Sequence, residues 1–448
     1  MILHGITGRL VIVRVTGLFV LLFLFFCYAC KSNRGIFTSE KSQHERYGER
    51  IRKAGLENTV LGAAWFKAAL EGLYKPADIT LPYRETGYFD DNLPRSAGFR
   101  FNIRYGEKLQ VTLTTLPDSA IMFTEIWLPS EGQTSKLISS ADSTGKNLQL
   151  EVDKDGTLIL RLQTELLQSV EYTVSISTSP SLAFPVRLDD KPNISSFWGA
   201  DRDGGIRKHE GVDIFAKKRT PLLAAADGKV TRVNENMLGG KVIFMRPSNR
   251  NYTLYYAHLD SQLVVEGQEV KAGDIIGLMG NTGNARTTRP HLHFGIYTRE
   301  GAVDPLPFID RERPPVPAVK ADKNALNKFL RLEKNAVIYS LPDAKSSVIS
   351  KTAGQEIIKI NGATNDWYRV EWNDSTAGFV REKQVSNNPL KKQQLKTALR
   401  LLHQPQTDSP AIVSLKAGDE ITLVGLKNNF FRVTHGKLSG WIHAASLD

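Results

Sequence analysis

The rhythm of apolar and polar positions changes several times along this chain. Between positions 45 and 73, Ile51, Ala54, Leu56, Val60, Leu61, Trp65, Leu70 and Leu73 recur at helical spacing, which predicts a helical segment broken near Gly55. From about Gly87 to Pro185 the period drops to two. Phe99-Arg100-Phe101-Asn102-Ile103 and Leu109-Gln110-Val111-Thr112-Leu113 alternate apolar with polar residues, and so do residues 148–152, 158–162 and 172–176. Turn residues such as Asp155-Gly156 separate these runs, and the pattern predicts an antiparallel β-sandwich. Further short strands are predicted at 229–233, 241–245, 253–257, 275–279 and 291–297.

A Pro-rich stretch, Asp310-Arg311-Glu312-Arg313-Pro314-Pro315-Val316-Pro317, then reads as a semi-rigid linker. Beyond it the chain repeats itself. Ala353-Gly354-Gln355-Glu356-Ile357 answers Ala417-Gly418-Asp419-Glu420-Ile421, Trp367-Tyr368-Arg369-Val370 answers Phe430-Phe431-Arg432-Val433, and Gly378-Phe379-Val380 answers Gly440-Trp441-Ile442. The offset stays near 63 residues, as two copies of one small domain require, with the polar run 391–396 between them. Each copy resembles the bacterial Src-homology-3-type barrels found beside cell-wall hydrolases. The resemblance implies accessory modules that bind wall peptides or shield an active site, without carrying chemistry. Their aromatic residues read as core rather than as a ligand platform.

The amino terminus sets the compartment. Arg9 and Arg14 precede an apolar run from Val15 to Ala29 that ends at Cys30. Sixteen residues fall short of the roughly 20 that cross a bilayer as a helix, and the basic flank and small terminal residue fit a secretory signal. Phe26-Cys27-Tyr28-Ala29-Cys30 resembles a loose lipobox, which implies a lipid anchor on Cys30 and an exported lipoprotein at the cell envelope. It departs from the usual pattern at Cys27 and at the bulky Tyr28. These two cysteines are the only ones in the 448 residues, so the exported body has neither disulfide nor thiolate ligand. A net charge of +11 suits anionic envelope polymers, and no nucleic-acid motif accompanies it.

Candidate chemistry lies in one window. Four of the nine histidines fall in His209-Glu210-Gly211-Val212-Asp213, Tyr255-Tyr256-Ala257-His258-Leu259 and His291-Leu292-His293-Phe294-Gly295. Imidazole and carboxylate are what zinc takes when thiolates are absent, and a catalytic site keeps three protein ligands and one open position. On a strand His291 and His293 share a face, roughly 6.6 Å apart at the backbone. His209 and Asp213 would stand about 13 Å apart if fully extended, so the chain must bend between them, and Gly211 permits the bend. The H-E-x-x-H helix does not fit: the stretch has no helical apolar face, it contains Gly211, and it ends in Asp.

Residues 186–310 resemble the lysostaphin-type zinc metallopeptidases, which cut peptide bonds in bacterial peptidoglycan. The resemblance rests on Ser195-Ser196-Phe197-Trp198-Gly199, the H-x-x-x-D motif, Tyr256-Ala257-His258-Leu259, H-x-H-F and Asp304-Pro305-Leu306. It implies one zinc per chain on His209, Asp213 and His293, with His258 and His291 as catalytic histidines that do not hold the metal. Many relatives place a tyrosine before the first ligand; this chain reads Asp201-Arg202-Asp203-Gly204-Gly205 there. The expected molecule is multidomain and mainly β. It has a signal at 1–30, a helical segment at 31–85, the sandwich at 86–185, a central antiparallel β-sheet metallopeptidase at 186–310, a linker at 311–325, and small barrels at 326–388 and 395–448. Its expected partners are peptidoglycan peptides and a membrane reached through the anchor. A second reading is a non-catalytic adaptor that activates another wall hydrolase. A carrier-domain reading, suggested by residues 265–274, fails because the following turn, Gly280-Asn281-Thr282-Gly283, has no lysine to modify.

Overall fold

A computed structural model describes residues 41–130, 135–142, 144–372 and 376–447. The signal segment and the lipobox with Cys30 lie outside these residues. Gln43–Asp448 forms one compact unit, and the architecture below is that of this unit. None of the described helices is long and apolar enough to cross a membrane.

The helical pattern becomes Gln43–Lys53 and Val60–Tyr74. Gly55, at φ +67°, makes the break between them, and the Thr59 hydroxyl accepts from Gly62 N to cap the second helix. Only part of the sequence-predicted apolar face is buried. Ile51, Trp65 and Leu73 are covered, whereas Val60 and Leu70 face solvent. Trp65 packs with Ile51 and Phe123, and its indole donates to Thr164 O at 2.9 Å. The second helix lies directly on the strand Ser96–Ile103: a Cβ on Gly98 would stand 1.9 Å from Gly72 O, so only glycine permits this approach.

The period-two region is a sandwich of described strands. One sheet runs Ala77–Asp78, Ser96–Ile103, Gly156–Thr164, Met122–Leu128, Lys136–Ser140; the other contains Tyr83–Phe89, Val170–Pro180, Glu107–Leu116 and Asn147–Glu151 in that order. Alternate residues such as Phe99, Leu109, Val111, Ile126, Leu160 and Val174 fill the space between the sheets. Its first strands lie ahead of the expected start at 86.

The second body is an antiparallel sheet whose central strands are Val212–Phe215, His291–Thr298, Thr253–Gln262, Gly240–Pro247 and Gly228–Asn236, in that order. Val212, Ile214, Leu254, Tyr256, Leu292 and Phe294 fill its core. Because side chains alternate, the intervening Asp213, His291 and His293 are turned to the opposite face. The register sets Asp213 opposite His293 and His293 opposite Ala257.

The Pro-rich stretch is tied to its neighbours: Arg313 Nη1 donates to Glu107 Oε1 at 2.7 Å, and Ala321 is buried. The two repeats then fold with one pairing scheme. In the first, Phe329–Leu332 pairs with Ile357–Thr364, followed across the sheet by Trp367–Trp372, Thr376–Arg381, Val337–Tyr339 and Val348–Lys351. In the second, Lys391–Gln394 pairs with Glu420–Lys427, followed by Phe430–His435, Leu438–His443, Leu399–Leu402 and Ala411–Leu415. Even the register irregularity recurs, at Ile360/Gly362 and at Leu423/Gly425.

Each repeat docks on the body before it through equivalent positions. Ala363 of the first pairs with Thr86, which joins the repeat to the sandwich sheet, and Trp367 and Phe379 enter the sandwich core. Arg369 grips the fully buried Glu85 with two bonds of 2.8 Å, and Tyr83 and Tyr172 complete the carboxylate's partners. In the second repeat Phe430 and Trp441 pack with Ile357 and Phe329 of the first, and Arg432 lies 4.8 Å over the Phe329 ring. The aromatic residues are therefore packing residues, as the sequence suggested.

Candidate active site

The three residues expected to hold the metal converge. His209 Nε2 lies 3.0 Å from Asp213 Oδ1 and 3.0 Å from His293 Nδ1, and the last two atoms are 3.1 Å apart. Two ligands about 2.0–2.1 Å from a tetrahedral zinc would stand roughly 3.3 Å from each other, so these three donors fit one such ion. Among the described residues they form the group with metal-ligating geometry. The remaining polar atoms of two ligands are held as well. His209 Nδ1–H donates to Phe197 O at 2.9 Å, which leaves Nε2 as the lone-pair atom. Asp213 Oδ2 accepts from Arg202 Nη2 at 2.8 Å, which leaves Oδ1 turned toward the histidines. Burial alone would raise the Asp213 carboxyl, but the His209 and His293 imidazoles packed against it outweigh that and hold the group well below the usual carboxylate range.

His258 and His291 stand beside this cluster, with ring centroids 4.9 Å apart and that of His258 6.0 Å from that of His293. Both use Nδ1–H in the same way. His258 donates to Thr282 O at 2.9 Å and His291 to Arg289 O at 2.8 Å, so both Nε2 atoms remain acceptors. Burial, and then the neighbouring His291 and His293, push His258 down to about 4, so it is neutral near pH 7. Phe215 stacks on His291 with ring centroids 4.9 Å apart, and Arg289 lies 5.1 Å over Phe215.

Two backbone features place these side chains. His258 itself sits at φ +66°, a left-handed conformation that costs a non-glycine residue of order 1–3 kcal/mol, and its N–H is anchored to Gly239 O at 2.7 Å. Gly211 is required for a reason different from the bend read in the sequence. It is not among the residues with positive φ; instead, a Cβ there would stand 2.6 Å from Phe294 O and 2.7 Å from His293 Cε1. The glycine makes room for the His293 ring.

Sequence reasoning marked all five of these residues but not the function of Arg202. Its contact with Asp213 depends on the short hairpin Asp201–Arg202/Arg207–Lys208 folding back over the cleft. That long-range placement has no local sequence signal. The cleft is about 700 Å³ and is lined by all five histidine and aspartate residues together with Arg202, Tyr255 and Tyr297.

Comparison with known proteins falls on the same segment of the chain. The family described as peptidase family M23 matches residues 207–305. The segment 207–305 is an M23 domain. Over 91 residues the chain is 43% identical to the peptidoglycan DD-endopeptidase ShyC of Vibrio cholerae, covering 20% of each protein. It is 36% identical over 139 residues to the L-Ala–D-Glu endopeptidase of Bacillus subtilis (28% of this chain, 42% of the relative). It is also 37% identical over 112 residues to the murein hydrolase activator NlpD of Escherichia coli (25% and 28%). The chain spans less than half the length of each of these curated relatives. Among solved structures, the catalytic domain of lysostaphin from Staphylococcus simulans is 34% identical, covering 27% of this chain and 92% of that one, with a TM-score of 0.24. A bacterial SH3 domain is matched once, at residues 397–448, against the two expected from the internal repeat. The M23 relatives identified here include cell-wall peptidases and activators of murein hydrolases alike.

Proposed function

We propose that this protein is a zinc endopeptidase that hydrolyses peptide bonds in the stem peptides or cross-links of peptidoglycan, binding one zinc per chain on His209, Asp213 and His293. The observation that carries the reading is the complete donor set beside two histidines whose Nε2 atoms are left as acceptors. A zinc ion on these ligands would supply the Lewis acidity that polarises a carbonyl and acidifies a water. Of His258 and His291, one would accept the water's proton at its free Nε2, and the other, once protonated there, would donate a hydrogen bond to the developing oxyanion. A neutral His258 at pH 7 suits proton acceptance.

The envelope location follows from the same reading: export, cleavage before Cys30, and acylation of that cysteine would hold the enzyme at a membrane facing its substrate. Residues 326–388, whose pairing scheme matches that of the bacterial SH3 domain, are proposed as a second copy of it. Similarity to murein hydrolase activators supports a second reading, in which the M23 domain stimulates another enzyme. Purified peptidoglycan incubated with the protein, with and without a chelator, tests both. Chelator-sensitive release of peptide fragments, identified by mass spectrometry, supports the endopeptidase. An intact wall, together with stimulation of a separate wall hydrolase, supports the activator.

A further inference from the structure

Arg202 is a cation against a metal-ligand carboxylate, and its geometry gives it a defined task. Its Nη2 donates to Asp213 Oδ2 at 2.8 Å and to Ser196 Oγ at 2.6 Å. Ser196 is the cross-strand partner of Asp213, so the guanidinium bridges two neighbouring strands at the edge of the sheet. The arginine itself stands on the separate hairpin Asp201–Arg202/Arg207–Lys208, which forms one wall of the cleft. A carboxylate with both oxygens free can offer one or both to a metal. Here one is taken. Oδ1 points at His209 and His293, while Oδ2 is turned away and held.

We propose that Arg202 is a positioning residue for the metal site: it grips the outer oxygen of Asp213 so that a single oxygen faces the ion and the fourth coordination position stays open. The inference rests on reading His209, Asp213 and His293 as a zinc site. It assigns to Arg202 a role at the metal rather than at the substrate. It also links the cleft wall to the metal, since whatever moves the hairpin moves the partner of a ligand. Partners of ligating groups of this kind are typically worth about 10–100-fold in metal affinity when removed.

The test uses the full exported protein and reads the metal rather than turnover. Zinc affinity is measured by competition with a chromogenic chelator for the wild type, Arg202→Met and Arg202→Lys. The cobalt-substituted forms are compared by visible absorption, which weakens as coordination rises above four. The expected result is a loss of about 10–100-fold in zinc affinity for Arg202→Met, with weaker cobalt absorption and an unchanged melting temperature of the metal-free protein. Arg202→Lys, which keeps one donor and the charge, should lie between Met and wild type. Wild-type affinity and an unaltered cobalt spectrum in Arg202→Met would overturn the proposal while leaving the metal site standing. Failure of the wild type to bind one zinc would overturn the site itself, and this assignment with it. If Arg202→Met does not fold, Arg202→Lys decides: affinity and spectrum equal to wild type count against a geometric grip on Oδ2.

Discussion

At the scale of single residues the proposed function divides the site into groups that hold a metal and groups that react, and the two classes should separate on mutation. Asp213→Ala removes a donor and should abolish stoichiometric zinc in metal analysis. His258→Ala and His291→Ala should retain zinc and fold, yet lose turnover by about 10²–10⁴-fold if the proton is lost and about 10²–10³-fold if the oxyanion donor is lost. Measuring kcat on a cross-linked muropeptide beside zinc content and thermal stability decides it, and wild-type turnover in both variants contradicts the assignment. His209, Asp213, His291 and His293 were legible as candidate donors because the H-x-x-x-D and H-x-H spacings bring donors together; the part of His258, and the division into ligands and reacting histidines, came from the resemblance to the lysostaphin-type peptidases. Gly211 was legible as necessary but not for the right reason. The sequence shows a glycine between two ligands; it does not show that the ring of His293, distant in sequence, occupies the space where a side chain would go.

At the scale of elements, the helices carry a buried histidine that the site does not use. In Gln43–Lys53, His44 is stacked 4.5 Å from Trp65, its Nε2–H donates to Gln163 Oε1, and its Nδ1 accepts from Arg161, which also pairs with the buried Glu125. Burial, and then the Arg161 cation, push its pKa down to about 4 from 6.5. The sign follows from linkage. Between pH 6.5 and 4 the unfolded chain binds the proton and the folded chain does not, so stability from this group is full above about 6.5 and falls on acidification. A depression of this size corresponds to about 2–3 kcal/mol lost by pH 4.5. His44→Gln should flatten that part of the profile, as seen in denaturant midpoints at pH 7 and 4.5; an equal acid-induced loss in variant and wild type contradicts it. The alternation of Phe99–Ile103 or Leu109–Leu113 made the sandwich strands readable, since period-two burial is written locally. The helix faces were less readable. Val60 and Leu70 are exposed because the Gly72–Gly98 approach determines which side of the helix meets the sheet, and that contact spans distant parts of the chain.

At the scale of the whole molecule, the sequence suggested two accessory modules behind a semi-rigid Pro-rich linker, and the docking makes the first of them part of the sandwich fold. The first repeat supplies Trp367 and Phe379 to the sandwich core and Arg369 to the buried Glu85; removing one member of such a pair typically costs about 3–5 kcal/mol. Deleting residues 389–448 should leave a soluble, cooperatively melting protein of lower Tm. Deleting residues 326–448 should leave Glu85 unpaired and the product insoluble or non-cooperative in melting. If both truncations melt alike, the first repeat is not part of the sandwich fold. The proposed lipid anchor also belongs to this scale: the mature protein should begin at Cys30, and Cys30→Ser should be released from membranes, as fractionation and mass spectrometry would show. The docking faces have one more consequence. The first repeat receives the second on Phe329 and Ile357. Sixty-three residues on, the same two places hold Lys392 and Glu420, exposed and joined by an ion pair of 3.1 Å. A unit docking on that face by the same route would have to strip water from the pair, so where the first repeat offers an apolar seat the second offers a charged one, and the stacking of the two repeats is directional.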